Sequence, residues 1–247
     1  SDKLGRKVVM VSGMVLTTLA LYPGFHAIVE AANPALAAAT ARAPVRVIAD
    51  PRACSLQFDP VGKAQFKSSC DVAKSVLANA GVAYRNIAAP KGTLARVEIG
   101  RTLVLSGEGA GLPSPALKAL RAGVEARIKA ALAAAGYPQR ADPARVNALG
   151  LFAVLMLFTL GATALYGPQA ACMSELFPAK VRYTALSLPY HIGTGWVGGF
   201  LPATAFAMVA ATGDIYFGLW YPIVAASLAI LVSLLFLPET RGRNLNL

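Results

Sequence analysis

The chain has 247 residues, 56% hydrophobic and only 14% charged, with a formal net charge of +11 and a mean hydropathy of +0.55. Soluble domains carry about 25% charged residues, so an ordinary cytosolic enzyme is excluded, as are disordered and collagen-like chains. The positive balance alone would suit a nucleic acid, but its placement along the chain and the lack of a recognition motif argue against that partner.

The chain opens Ser1-Asp2-Lys3-Leu4-Gly5-Arg6-Lys7 and then turns apolar. A start without Met that enters an apolar run at once is what a piece cut from a larger protein would show. Four stretches hold no Asp, Glu, Lys or Arg: residues 8–29, 146–174, 183–213 and 215–238, of 22, 29, 31 and 24 residues. A bilayer core of about 30 Å takes roughly 20 helical residues, so each stretch is expected to span, the longer ones with tilt or interfacial ends. No charged start with a short apolar core and an A-x-A site occurs, so no signal peptide is expected. Pro23 and Gly24 predict a kink or an end in the first span.

Between the first and second spans lie residues 30–145, enough for one small domain. Residues 31–43 are Ala-rich and suit a continued helix or a linker. Residues 45–48 alternate as a strand does. Residues 68–80 predict a helix, with Ser68 at its start and Gly81 just past its end. Residues 82–87 suit a second strand, and 94–99 with 102–105 flank Gly100-Arg101 as a hairpin. Leu117, Leu120, Val124, Ile128 and Leu132 form one stripe of a helix over 113–135, closed by Gly136 and Pro138. Spans two, three and four follow with short connections, which makes them antiparallel neighbours.

Charge placement sets an expected topology. Sixteen Lys/Arg and eight Asp/Glu fall within 30–145, a net +8. The other basic residues are Lys3, Arg6, Lys7, Lys180, Arg182, Arg241 and Arg243, at places that four spans put on one side. Short loops rich in Lys and Arg stay in the cytoplasm, whereas long segments cross regardless of charge. Both termini are therefore expected in the cytoplasm and 30–145 in the periplasm, beyond a bacterial inner membrane. That space permits disulfides, so Cys54 and Cys70 are expected to pair, worth about 3 kcal/mol in the chain-entropy model. Cys172 suits a small packing residue.

Chemistry-bearing residues are sparse. Gly193-Thr194-Gly195-Trp196-Val197-Gly198 fits G-x-G-x-x-G, a dinucleotide fingerprint only when it follows a strand. Inside an uncharged stretch it reads better as helix packing, with Gly195 and Gly199 on one face. Neither His26 nor His191 has a Cys, Asp or Glu at ligand spacing, so no metal and no cofactor is expected. An ionisable side chain inside a span suggests function, and imidazole changes charge near neutral pH. His191 is thus either a proton-coupling group or a polar side chain bonded to a neighbouring helix, while His26 suits the interface. Thr159, Thr163 and Tyr166, with Gln169 beyond them, recur at helical spacing. Singly each suits an interhelical hydrogen bond; together they suit the wall of a polar substrate cavity. Gly167-Pro168 predicts a helix break beside them, and broken helices recur at transporter sites. No nucleophile–base–orienter set and no phosphate loop is found, so no catalytic residue is assigned and the chain is read as no enzyme.

Three segments resemble one superfamily. Asp2-Lys3-Leu4-Gly5-Arg6-Lys7 is similar to the D-x-x-G-R-[RK] end of the cytoplasmic loop motif of the major facilitator superfamily. Glu175-Leu176-Phe177-Pro178-Ala179-Lys180-Val181-Arg182-Tyr183-Thr184, followed by Ser187-Leu188-Pro189-Tyr190, resembles the loop before the eleventh helix in the metabolite:H+ symporter branch. Permeases for α-ketoglutarate, citrate, shikimate and proline/betaine belong to that branch. Pro238-Glu239-Thr240-Arg241-Gly242 resembles the segment after the twelfth helix. The resemblance covers 1–29 and 146–247 and departs at 30–145, where a short loop is usual. It implies helices nine to twelve of a twelve-helix protein, whose N-terminal helices would be the partners absent from this chain. Carried over by position, Asp2, Gly5, Arg6 and Lys7 would belong to a cytoplasmic gate. Asp2 would oppose a neighbouring helix N-terminus, and Glu175 and Arg182 would supply the equivalent charge pairs.

The expected fold is an all-α membrane protein of four transmembrane helices with an inserted α+β extracytoplasmic domain. Its parts are 1–29 (loop motif and first span), 30–145 (periplasmic domain) and 146–247 (three spans and cytoplasmic tail). The leading function is a proton-coupled secondary transporter, a symporter for a small organic acid or zwitterion, with that substrate, the proton and the lipid bilayer as partners. The alternatives are a membrane-anchored ligand-binding or sensing module, and the non-functional product of a truncated gene.

Overall fold

The computed structural model describes residues 1–55 and 66–242. Arg243, counted above among the cytoplasmic charges, lies outside the described residues. Among the described residues, four helices are long and apolar enough to cross a membrane: Arg6–Ala32, Ala148–Leu176, Arg182–Thr212 and Phe217–Phe236.

The described chain divides into two compact units, one of Ser1–Ile28, Asn147–Ala205 and Leu219–Leu247, the other of Val29–Val146 with Phe206–Gly218. In the first, helix α1 (Arg6–Ala32) runs unbroken through Pro23, and its 27 residues reach roughly 40 Å. Helix α5 (Ala148–Leu176) likewise runs through Pro168, which is buried. The break expected at Gly167-Pro168 does not occur, and α1 does not end at Pro23-Gly24. Without water to take up freed backbone groups, a membrane helix tolerates proline by local adjustment rather than by opening. The α1–α5 contact is built on small residues. A Cβ added at Gly13 would lie 2.8 Å from Ala164 Cβ and from Gly161 O, and one at Gly24 would lie 2.6 Å from Phe158 Cζ. Helix α6 (Arg182–Ile192) passes into six residues wound as a π-helix, Gly193–Gly198, and then into α7 (Leu201–Thr212). Helix α8 (Trp220–Phe236) completes the set.

The other unit is α+β. Helix α2 (Pro34–Arg42) leads to β1 (Val45–Ala49), then α3 (Ser69–Asn79), β2 (Tyr84–Ala88), β3 (Arg96–Ile99), β4 (Thr102–Leu105) and α4 (Ser114–Ala134). The strands pair in the order β2-β1-β3-β4. β1 and β2 are parallel, with α3 as the crossover, and the other pairs are antiparallel. Val47, Val97 and Val104 stand opposite one another across three strands and are all buried. They pack with Val72 and Leu77 of α3 and with Val124 and Ile128 of α4 in one core. Local chemistry sets the ends. Ser68 Oγ accepts from Asp71 N at 3.1 Å to start α3, and Gly81 at φ +65° ends it. Gly100 takes φ +58° in the two-residue β3–β4 turn, the conformation a glycine-first hairpin turn requires. Cys54 and Cys70 form the expected disulfide. Tyr137 Oη donates to Ala43 O at 2.7 Å, tying the segment after α4 to the entry of β1.

Residues from the third-to-fourth span connection complete this unit. Tyr84 N donates to Gly213 O at 3.1 Å, and Asn86 Nδ2 donates to Ala211 O at 2.8 Å. The edge strand β2 thus gains partners from the end of α7.

Candidate functional site

The densest polar network joins the ends of α1, α5 and α8. The Glu239 carboxylate accepts from Arg6 N at 2.8 Å and Lys7 N at 3.2 Å, satisfying donors that the first turn of α1 leaves open. Gly5 stands beside it at φ +104°, where any Cβ would overlap that carboxylate. The Arg6 guanidinium reaches Glu175 with Nη2–Oε1 at 3.2 Å and Nε–Oε2 at 3.5 Å, and it also pairs with Asp2. The fully buried Thr240 donates to Glu175 Oε2 at 2.6 Å. Lys7 Nζ donates to Leu234 O at 2.9 Å in the last turn of α8, and Arg241 Nη1 donates to Lys3 O. The hydrogen bond from Arg6 lowers the Asp2 pKa, and backbone N–H donors from Arg241 and Arg6 lower that of Glu239.

Asp2, Gly5, Arg6, Lys7 and Glu175 therefore gather in one place. Arg182 does not pair with Glu175: its Nε donates to Phe177 O at 3.3 Å, closing the α5–α6 turn. At the N-terminus of α1 the acid is Glu239, and Asp2 lies in the turn that folds back on Arg6. Glu239 and Thr240 belong to a segment used only for resemblance; an acid next to a Thr just past the last span was the available signal.

A second site is an open groove of about 540 Å³ between α5 and α6. Tyr166, Gln169 and Met173 line one side, and Tyr183, Tyr190 and His191 the other. The groove thus brings Tyr166, Gln169 and His191 together. Thr159 and Thr163 lie outside it and donate to the carbonyls of Leu155 (2.8 Å) and Thr159 (2.7 Å) one turn back. Tyr183 and Tyr190 were missed, though 183, 187, 190 and 191 share a helical face. His191 lies two residues before the π-wound Gly193–Gly198, a distortion that often marks functional sites. That stretch lies between Pro189 and Pro202, each of which removes a backbone donor, and Tyr221 Oη donates to Val197 O at 3.1 Å. The G-x-G-x-x-G run is therefore helical and follows no strand. Beyond its own turn and chain neighbours, no described atom comes within 4 Å of a Cβ added at Gly195, and the atoms nearest one added at Gly199 are those of Gly195. The His26 ring meets that of Tyr22 at a tilt, 4.8 Å between centres, and Trp220 lies 6.3 Å from Tyr22.

Residues 68–247 match the family model of sugar (and other) transporters. The chain belongs to that family. It is a major facilitator family, one of transporters and not of enzymes, and the four apolar helices are those of a membrane protein. Over 95 residues the chain is 28% identical to the glycine betaine/proline/ectoine/pipecolic acid transporter of Dickeya dadantii (strain 3937). That match takes in 38% of this chain and 19% of the relative, so the chain spans about a fifth of the relative's length. No solved structure matches.

Proposed function

We propose that this transporter-family chain forms part of a proton-coupled symporter for a small zwitterion or organic acid, working by alternating access. The observation that carries the reading is the Arg6–Glu175–Thr240 network with Glu239 on the start of α1. It fastens three helix ends at one membrane face, where contacts must close in one state and open in the other. Asp2, Gly5, Arg6, Lys7 and Glu175 form this gate, and Arg182 stiffens the adjoining turn.

The groove is the proposed substrate wall. Three tyrosine rings beside Gln169 suit a solute with a cationic end, because an ammonium is drawn to the face of an aromatic ring. The relative's name, with glycine betaine and proline first, supports that class. His191 at the groove is the proposed proton carrier. Thr159 and Thr163 contribute to the wall only if their hydroxyls turn from their own backbone. The open faces around Gly195 and Gly199 are proposed to receive the other helices of the transporter. By the placement of Lys and Arg, the gate faces the cytoplasm of an inner membrane. Residues 30–145 are then periplasmic, between 1–29 and 146–247.

Uptake of labelled glycine betaine and proline by membrane vesicles carrying the whole transporter of which this chain is proposed to be part tests this. An inward proton gradient is expected to drive accumulation, a protonophore to abolish it, and Arg6→Ala to remove most of it. His191→Gln is expected to leave exchange intact while uncoupling uptake from the gradient. Gradient-independent uptake would overturn proton coupling, and no uptake of either solute would overturn the substrate class.

A further inference from the structure

The α+β unit contains a cavity of about 310 Å³ that the transport reading does not use. It lies at the carboxyl ends of the parallel strands β1 and β2, beside Ala49 and Ala88. Ligands commonly sit at that end of parallel strands. A chamber of this size suits a small one. Most of the wall is apolar, but one part of it is reactive. Half-buried Cys54, one end of the disulfide, lines the cavity. Cys70, the other end, is fully buried and lies off the cavity wall.

The two sulfurs also differ in how well each would carry negative charge. Cys70 is the second residue of α3, and a helix start carries a partial positive charge. Lys74 follows one turn later on the same helix face, is only 5% exposed, and lines the same cavity. Burial lowers its pKa while the Asp71 charge opposes that shift, and a thiolate at Cys70 would oppose it further. Helix start and cation both favour a thiolate at Cys70. Two acids share this helix end, but hydrogen bonds take up part of their charge. Asp71 Oδ1 accepts from Ser55 N at 2.7 Å, and Glu108 accepts from Ser69 N at 3.1 Å and from Ala110 N at 3.0 Å. Cys54 has neither aid, since it lies in extended backbone just past a short 3-10 turn. The sulfur on the cavity side is thus bonded to the sulfur better able to leave, and a better leaving thiol speeds exchange. The Ser55–Asp71 bond ties Cys54 to the start of α3 apart from the S–S bond, so the two sulfurs stay neighbours once that bond opens.

We propose that Cys54–Cys70 is an exchangeable disulfide, opened by small thiols that enter the cavity and attack Cys54 Sγ. The incoming thiolate forms a new S–S bond to Cys54. The Cys54–Cys70 bond breaks, and Cys70 leaves as a thiolate beside Lys74. A second small thiolate can attack the first at its sulfur, releasing Cys54. The small thiols are then oxidised to their own disulfide, an electron pair passes to the protein, and solvent protonates its two thiolates. In reverse, Cys70 attacks Cys54 Sγ in the mixed disulfide, expels the small thiol and restores the bond. The site stands on this unit's own geometry and does not depend on the transport reading.

The test uses the whole oxidised 247-residue chain in lipid nanodiscs, with L-cysteine as probe. The reaction is stopped early with a maleimide, and peptide mass spectrometry locates each adduct. Cysteine is expected on Cys54 and maleimide on Cys70, at a rate unchanged by urea too dilute to alter circular dichroism. Lys74→Met is expected to slow the exchange by about threefold or more. Should that variant fail to fold, the position of the adduct in the wild-type chain decides. Cysteine on Cys70 as often as on Cys54 would overturn the proposal, because it would mean that the bond opens only in unfolded chains. So would the absence of any adduct short of unfolding. An undiminished rate in a folded Lys74→Met chain would overturn the assignment of Cys70 as the sulfur that leaves beside Lys74.

Discussion

The two units spend their apolar residues in opposite ways. In the α+β unit, Val47, Val97, Leu77 and Ile128 are turned inward and almost fully buried. In the third and fourth spans, nothing in the most apolar stretch is buried, and Phe200, Leu228 and Leu235 stand open. Leu, Val and Ile are plentiful in both. What differs is the pattern. Alternation in strands and a stripe in α4 mark surfaces with water on one side. Helices apolar all round have no wet face, so lipid or further helices must cover them.

Truncation tests that contrast most strongly. Ile128→Ala is expected to cost the α+β unit about 2–5 kcal/mol, read as lost amide-exchange protection in α4 and the sheet. Leu228→Ala, on the open face of α8, is expected to change protection there by less than about 0.5 kcal/mol. Equal losses would mean that α8 is packed as a core helix is. Breaking the disulfide by Cys54→Ser with Cys70→Ser ranks next. The cysteines are 16 residues apart, a closure worth about 3 kcal/mol. The loss should appear in the α+β unit and leave protection of α1 and α5 unchanged.

The helical unit's own stability is probed at Arg6 and Glu175, whose side chains are 17% and 14% exposed. A double-mutant cycle with Arg6→Ala and Glu175→Gln is expected to give a coupling of about 0.5–3 kcal/mol in thermal unfolding of the nanodisc-embedded chain. Zero coupling would show that Thr240 and Glu239 hold these helix ends unaided.

The smallest effect concerns acid. Asp50 accepts from Gly92 N and Arg52 N, both at 3.0 Å, and these bonds lower its pKa. A carboxylate whose folded pKa is lowered stabilises the fold above its unfolded value of about 3.9. That contribution fades as pH falls through the lowered folded value. Asp50→Asn should therefore flatten the acid limb of the unfolding profile of the α+β unit below about pH 4. An unchanged acid limb would show that Asp50 gives this unit no pH-dependent stability.

Legibility in the sequence follows the same division. Ser68, Gly81 and the Gly100-Arg101 turn could be read because caps and hairpins are made by neighbours in the chain. The α4 stripe from Leu117 to Leu132 could be read because one of its faces meets water. Pro23 and Pro168 misled, since their effect depends on whether water can take up the freed backbone groups. The network at the start of α1 was half legible: Arg6 and Glu175 carry charge in recognisable segments. Glu239 on the start of α1 spans 233 residues of sequence, and no local pattern announces such a partner. Gly13 against Gly161 was missed for the same reason, although Gly13 and Thr17 already formed a small-xxx-small pair.

The bond from Asn86 to Ala211 also sets an order of assembly. Its ends lie 125 residues apart. At a synthesis rate of about 5–20 residues per second, the second end emerges roughly 6–25 seconds after the first. During that interval β2 is an unguarded sheet edge, the feature by which strands recruit wrong neighbours. The four-stranded sheet can form early, but its border is sealed only when the end of the third span arrives. A nascent chain halted before Ala211 would present that border to chaperones and to other copies of itself, which gives ribosome pausing a structural target in this protein.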